Sequence, residues 1–369
     1  MSLLRRILTR SRTADPDPSS PSSADEPKEQ SVDESADSLA AEQTAEPVET
    51  APEPVEARGE ERPGEPETFT EEPTPPPPTP LTLDDYNLRD APEEWLPLGK
   101  RSPDELSDAR LQLHHLVQIP AAFGGTFVEP REDDSHRVVT WNPKLGGFQS
   151  REAEIAGPVS MVVCPFPLQI QIRAGADLHR YVLPGHTLGE AWDWAERELG
   201  VLLGRSDAEL KRPEFEIPDH RVAHHALFDA NPSALEELSR WFDDALMILE
   251  QVRRECQEEA SPIRSWPHHF DTATLLDFGS GPDGEPRTIG VGLSPGDEER
   301  NEPYLYVAPW PRPETTPDHE LPAGCWQEIG WVGAVLPGGE LVEGSGPEQE
   351  ARARVFVDSA LSQARELLP

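Results

Sequence analysis

The stretch SWPHHFDTATLL, Ser265 to Leu276, sets two adjacent histidines between a Trp-Pro pair and an aspartate, with an apolar run behind them. Imidazoles titrate near neutral pH and ligate metals, and a nearby carboxylate can orient a ring or share its ligand. Histidine pairs recur at His114–His115 and His224–His225, and His220 stands four residues before His224. On a helix that last spacing would put two rings on one face, as a divalent site requires. Adjacent rings point apart in helix and strand alike, so each pair offers one ligand, and no HExxH pattern is present. Asp219 or Asp271 would complete a His/His/Asp set on paper. Eleven histidines make accidental pairs common, and the expectation is structural or surface histidines, with no metal and no cofactor.

The neighbourhood of this stretch is richer than the pairs alone. Within the segments WPHHFD, LSPGDEERNEPYLYVAPW and CWQEIGW lie Trp266, Tyr304, Tyr306, Trp310, Trp326 and Trp331. The same segments carry His268, His269, Asp271, Asp297 and Glu302. Aromatic walls with a few carboxylates and a histidine are what a concave small-molecule site uses. The plainer reading makes the aromatics core and the acids turn residues, since Ser-Pro-Gly-Asp is itself a good turn. The binding candidates are therefore Trp266, His269, Asp271, Asp297, Glu302, Tyr304, Trp310 and Trp326. No nucleophile motif appears, and GSGPDGEP reads as a hairpin turn because its acids would repel phosphate.

These segments resemble an uncharacterised family of bacterial proteins. Its members carry Trp-Pro-Glu-His-Phe-Asp, then a Ser-Pro-Gly-Asp turn leading into Pro-Glu-Pro-Tyr-Leu-Tyr-Val and a Trp. LGGFQS and LHHLVQIPA also look like that family, so the resemblance covers residues 105–368. It departs at His268, where the family has Glu, and at Asn301-Glu302-Pro303, where Pro-Glu-Pro is usual. The first departure weakens any carboxylate mechanism at position 268, while His269, Phe270 and Asp271 match. The family has no established activity, so the resemblance implies one fold and a shared C-terminal surface rather than a reaction.

Four helices are expected to position these residues. Ser102 and Glu105 form a capping box before SPDELSDARLQLHHLVQIP, which Pro120 should stop. Thr187 and Glu190 form another before a helix that Gly200 ends. The longest runs from about Asn231, with Leu235, Leu238, Phe242, Ala245, Leu249, Val252 and Cys256 as its buried seam. The last buries Phe356, Val357, Ala360, Leu361, Ala364 and Leu368. Strand-like runs fill the gaps: GGTFVEP, HRVVTW, VSMVVCPF, LQIQIRA and DLHRYVLP, then TATLLDF, RTIGVGL, PYLYVAPW and GWVGAVLP. Strands segregated from helices argue for an α+β domain with largely antiparallel sheet. Alternation from His269 would put His269, Asp271, Ala273 and Leu275 on one strand face and Phe270, Thr272, Thr274 and Leu276 on the other. His268 would then point away, and Phe270 would anchor in the core.

The rest of the 369 residues bound the function. Residues 14–80 hold 19 acidic against 3 basic groups and 15 prolines, with Phe69 the single aromatic. Such a segment cannot bury enough apolar surface to order itself, so residues 14–94 read as an acidic, proline-rich disordered linker ahead of a single domain at 95–369. Residues 81–369 carry 25 basic and 51 acidic groups, a surface that repels phosphate backbones and excludes nucleic acid as partner. Residues 1–13 form a short basic amphipathic segment, with Leu3, Leu4, Ile7 and Leu8 on one face. Residues 1–12 could dock on a membrane surface or an acidic protein groove. No run approaches the roughly 18 apolar residues of a transmembrane span. Cys164, Cys256 and Cys325 are odd in number and far apart, which suits buried thiols in a reducing cytoplasm.

Three function classes follow: a non-catalytic ligand-binding or protein-interaction domain, an enzyme around His269 and Asp271, or a tethered scaffold located by its first residues. His269, Asp271 and Tyr304 converging in one cavity would favour the first two. A pair of perturbed ionisable groups there would favour the enzyme.

Overall fold

The structure, a computed structural model, describes residues 89–368. The basic first segment and the proline-rich stretch up to residue 88, with the docking role expected of residues 1–12, lie outside the described residues. The linker boundary expected at residue 95 falls inside the described chain. Arg89 already donates to the Pro143 carbonyl at 2.6 Å and to Asp243 Oδ1 at 2.5 Å.

The helical expectation holds at the caps and fails at Pro120. Ser102 and Glu105 close their capping box on a 3-10 turn, Pro103–Leu106, which leads into α1, Ser107–Leu116. After a break at Val117 the chain enters α2, Gln118–Phe127, with Pro120 in its first turn, where a missing N–H leaves no bond unmade. The expected strand GGTFVEP is therefore partly helix. Gly124 is needed there for packing, because a Cβ would sit 2.3 Å from the His136 carbonyl oxygen. Then come α3, Leu188–Leu202, and α4, Pro232–Cys256, with Asn231 accepting from the Ser233 N–H at its start. A single turn at Gly338–Leu341 precedes α5, Gly346–Glu366.

Twelve strands form one sheet. They are β1 Val139–Asn142, β2 Gly147–Ser150, β3 Ala153–Glu154, β4 Pro158–Cys164, β5 Gln169–Ala174 and β6 Asp177–Val182. The second half supplies β7 Arg264–Ser265, β8 Thr272–Ser280, β9 Pro286–Ser294, β10 Tyr304–Trp310, β11 Cys325–Gln327 and β12 Gly333–Pro337. The order is β11-β12-β10-β9-β8-β7-β1-β2-β4-β5-β6, with β3 on β4 and every ladder antiparallel. The fold is α+β as expected, with five helices of two turns or more among the described residues. The halves meet through Val139 and Ser265, so each contributes helix, antiparallel strands and helix to one sheet.

One face of β8 to β10 is core. Leu276, Ile289, Val291, Leu293, Leu305 and Val307 are buried there, under α4 and α5. The seam of α4 is buried from Leu235 to Val252, but Cys256 at its end is half-buried. Cys325 is exposed, so of the three thiols Cys164 alone is buried, and burial pushes it up to about 12, which keeps it protonated and unreactive. The opposite face of these strands is built differently. Ala273 and Leu275 on β8 face Gly292 and Gly290 on β9, which face Tyr306 and Ala308 on β10. Small side chains in the middle strand leave that face hollow. Among the described residues no helix is long and apolar enough to cross a membrane.

Candidate functional site

Over the hollow face lies a cavity of about 730 Å³. The floor is β8, β9 and β10, one wall is α1 with Arg110 and His114, and another is the Ser-Pro-Gly-Asp turn with Asp297. Residues 266–271, the loop of the β7–β8 hairpin, close the end nearest α1. The loop folds back on itself: Phe270 N–H donates to the Trp266 carbonyl at 2.7 Å, and Trp266 N–H to the Asp271 carbonyl at 3.0 Å. Phe270 takes a left-handed backbone, φ +61°, to make this turn. Its buried ring repays the strain by stacking on His114, centroids 5.2 Å apart, and against Phe148 and Phe242.

The strand expected from His269 thus begins at Thr272, and His269 belongs to the turn. The alternation holds in part: Phe270 is in the core and Asp271, Ala273 and Leu275 line the cavity, but Phe270 and Thr274, expected on the other face, border it too. His268 does not point away. In a turn, neighbouring side chains can converge, and His268 and His269 both line the cavity with ring centroids 4.5 Å apart. Helix α1 holds the loop in place. His114 Nε2 lies 2.9 Å from the Pro267 carbonyl, and Gln118 Nε2 donates to the same oxygen at 2.7 Å. Burial drives the His114 imidazole down to about 3, so it is neutral and Nε2–H is the donor.

Two aspartates face the cavity in different states. Asp297 Oδ1 accepts from the Glu299 and Arg300 N–H groups at 2.9 and 2.7 Å, and Oδ2 from Tyr304 Oη at 2.6 Å. Asp271 is 6% exposed. Its Oδ2 accepts from Tyr306 Oη at 2.5 Å, and its Oδ1 has no hydrogen-bond partner among the described residues. Burial pushes the Asp271 carboxyl up; His269, the Tyr306 hydroxyl and the residue's own backbone N–H pull the other way with less effect. Burial also lifts the phenols of Tyr306 and Tyr304, each reinforced by its aspartate. Tyr306 lies across Gly292, whose Cβ would be 2.6 Å from the ring, and Trp331 stands edge-on to it at 6.2 Å. Arg110, 6% exposed, donates to Asn301 Oδ1 at 3.2 Å and the Asp297 carbonyl at 3.5 Å. Gly296, φ +110°, makes room for that guanidinium.

Of the eight expected binding residues, Trp266, His269, Asp271, Asp297 and Tyr304 line this cavity. Three do not. Glu302 Oε2 accepts from the Gly339 N–H at 2.6 Å, Trp326 donates to Gln363 Oε1 at 2.7 Å, and Trp310 ends β10 away from the site. All three sit near the cavity in sequence, but their side chains brace the sheet against the Gly338 turn and α5 or fall beyond the floor. Arg110 and His114 are not among the expected binding residues, His114 standing there only as one of the histidine pairs, although a buried polar stripe Arg110, His114, Gln118 at steps of four points to them. Gly290 and Gly292 at alternate strand positions carried the other unread signal. Among the described residues no group of three or more His, Cys, Asp or Glu side chains is placed to hold a metal ion. The chain matches no family model, no curated protein and no solved structure.

Proposed function

We propose that this domain is a non-catalytic, cytoplasmic small-molecule-binding module whose ligand occupies the cavity over β8 to β10. The observation that carries this is Asp271: a buried carboxylate aimed into a cavity of ligand size, with one oxygen lacking a donor. Proteins rarely leave a buried acceptor unmet, and a ligand that supplies the donor removes the penalty. Three of the segments that resemble the uncharacterised bacterial family, WPHHFD, LSPGDEERNEPYLYVAPW and CWQEIGW, contribute residues to the cavity lining, which supports a ligand site common to both. A fragment library screened by thermal shift against the full chain tests it. Hits should be lost in Ala273→Leu, which fills the floor beside Tyr306 and Gly292. Hits indifferent to that change, or none at millimolar concentration, would sink the reading.

A second reading is favoured by one feature: burial holds both Asp271 and Tyr306 toward their protonated forms within one short hydrogen bond. A carboxyl and a phenol joined in this way are groups that general acid–base chemistry uses, and His269 lines the same cavity. Mass spectrometry of a bound hit after long incubation separates the two. An unchanged ligand supports the binding module; conversion that disappears in Asp271→Asn supports the enzyme.

A further inference from the structure

We infer that the ligand carries a cationic nitrogen, an amine or amidinium, seated on Oδ1 of Asp271 with its apolar body against Trp266, Trp331 and Tyr306. This rests on the binding reading above and names the chemistry that would satisfy the site. Three independent features converge on it. The first is the open acceptor: Tyr306 fills Oδ2, and nothing among the described residues donates to Oδ1. An N⁺–H donor makes the stronger, charge-assisted bond to a carboxylate, and a desolvated site enlarges that advantage over a neutral donor.

The second is the charge of the walls. The lining contains seven carboxylates, Asp133, Glu216 and Asp219 among them, against two guanidiniums, Arg110 and Arg264. Both guanidiniums are already engaged, Arg110 with Asn301 and the Asp297 carbonyl, Arg264 with Asp133 Oδ2 at 3.1 Å. An anionic head would meet more repulsion than attraction, although Arg110 Nε and Arg264 Nε have no partner among the described residues and mark where such a head would have to go. The third is aromatic. Trp266, Tyr306 and Trp331 line the same cavity as Asp271, and aromatic faces attract cations electrostatically. A flat or apolar body with a cationic end meets all three at once.

The test holds the body constant and changes the head. Phenethylamine, phenethyl alcohol and phenylacetate are titrated into the full chain by calorimetry. The amine should bind about tenfold or more tighter than the alcohol, with the acid weakest. Asp271→Asn should erase the preference for the amine, and its melting curve confirms that the isosteric variant is folded. The comparison among the three heads on the unmodified chain needs no variant at all. Equal affinity for amine and alcohol, or a preference for the acid, overturns the cationic head while leaving the cavity reading intact. If the phenyl body is refused, the best library hit and its analogue without the nitrogen replace it, with the same outcomes. Absence of any hit sensitive to Ala273→Leu fails the cavity reading instead.

Discussion

Asp271 and Asp297 differ in what surrounds their oxygens, and that difference sets what each can do. Asp297 is saturated by two backbone N–H groups and the Tyr304 hydroxyl, so it organises its turn. Asp271 keeps Oδ1 open and has, among the described residues, one side-chain donor, Tyr306. Removing that donor takes away the one side-chain hydrogen bond to a buried carboxylate. Tyr306→Phe is therefore expected to cost roughly 1–3 kcal/mol of stability in urea unfolding, and a phenethylamine preference, if present, should persist because Oδ1 is untouched. His114 offers a second check at this scale. With its imidazole down to about 3, it should keep the spectrum of a neutral Nε2–H tautomer from about pH 8 down to about pH 5 in nitrogen NMR, where an ordinary histidine changes charge. A titration near the usual value would contradict the buried Pro267 contact. In the sequence Asp271 and Asp297 looked equivalent. The distinction lies in Tyr304 and Tyr306, two residues apart on one strand face, each reaching a different aspartate, and no local pattern encodes that.

At the scale of elements, α4 carries a row of buried acids that tie down the chain entering the domain. Glu237 Oε1 accepts from the Gly99 N–H at 2.6 Å and Asp244 Oδ1 from the Leu96 N–H at 2.8 Å. Asp243 Oδ1 takes Arg89 and, at 2.8 Å, Trp141 Nε1. Burial raises all three, Asp244 to about 8, with Asp243, Glu237 and Glu350 pushing it further. A carboxyl raised on folding stabilises the fold in its protonated state. That contribution is whole below the unfolded value of 3.8 and is lost as pH rises through the folded value of about 8. Asp244→Asn removes the loss, so its melting temperature should gain on the unmodified protein between about pH 4 and pH 8 and level off above. A constant difference across that range would mean that Asp244 ionises freely. The seam of α4 was plain in the sequence because its apolar period is long. Its acids were not, since partners such as Gly99 and Leu96 lie about 140 residues away. Short strands failed for a related reason: β3 and β7 have two residues each, too few for alternation, and exist because longer neighbours template them.

For the whole molecule the governing quantity is charge. Residues 81–369 hold 25 basic and 51 acidic groups, read directly from the sequence with no need of a fold. Two outcomes follow with opposite sign. Duplex DNA should be left unbound in a gel shift at physiological salt, because the phosphates meet a like-charged surface. A cation should be drawn in, because the same field gathers counter-ions toward a cleft whose charged side chains are mainly carboxylates. The association rate for phenethylamine, followed by quenching of tryptophan fluorescence in stopped flow, should then fall as sodium chloride is added. Screening shortens the reach of the field to about 8 Å at 0.15 M salt and about 3 Å at 1 M. Phenethyl alcohol, with the same body and no charge, should show a rate nearly independent of salt. The dissociation rate of the amine should change far less than its association rate, since the contact with Asp271 is buried and salt reaches it poorly. A salt effect confined to dissociation would place the attraction inside the cavity alone and leave the acidic surface without a part in capture.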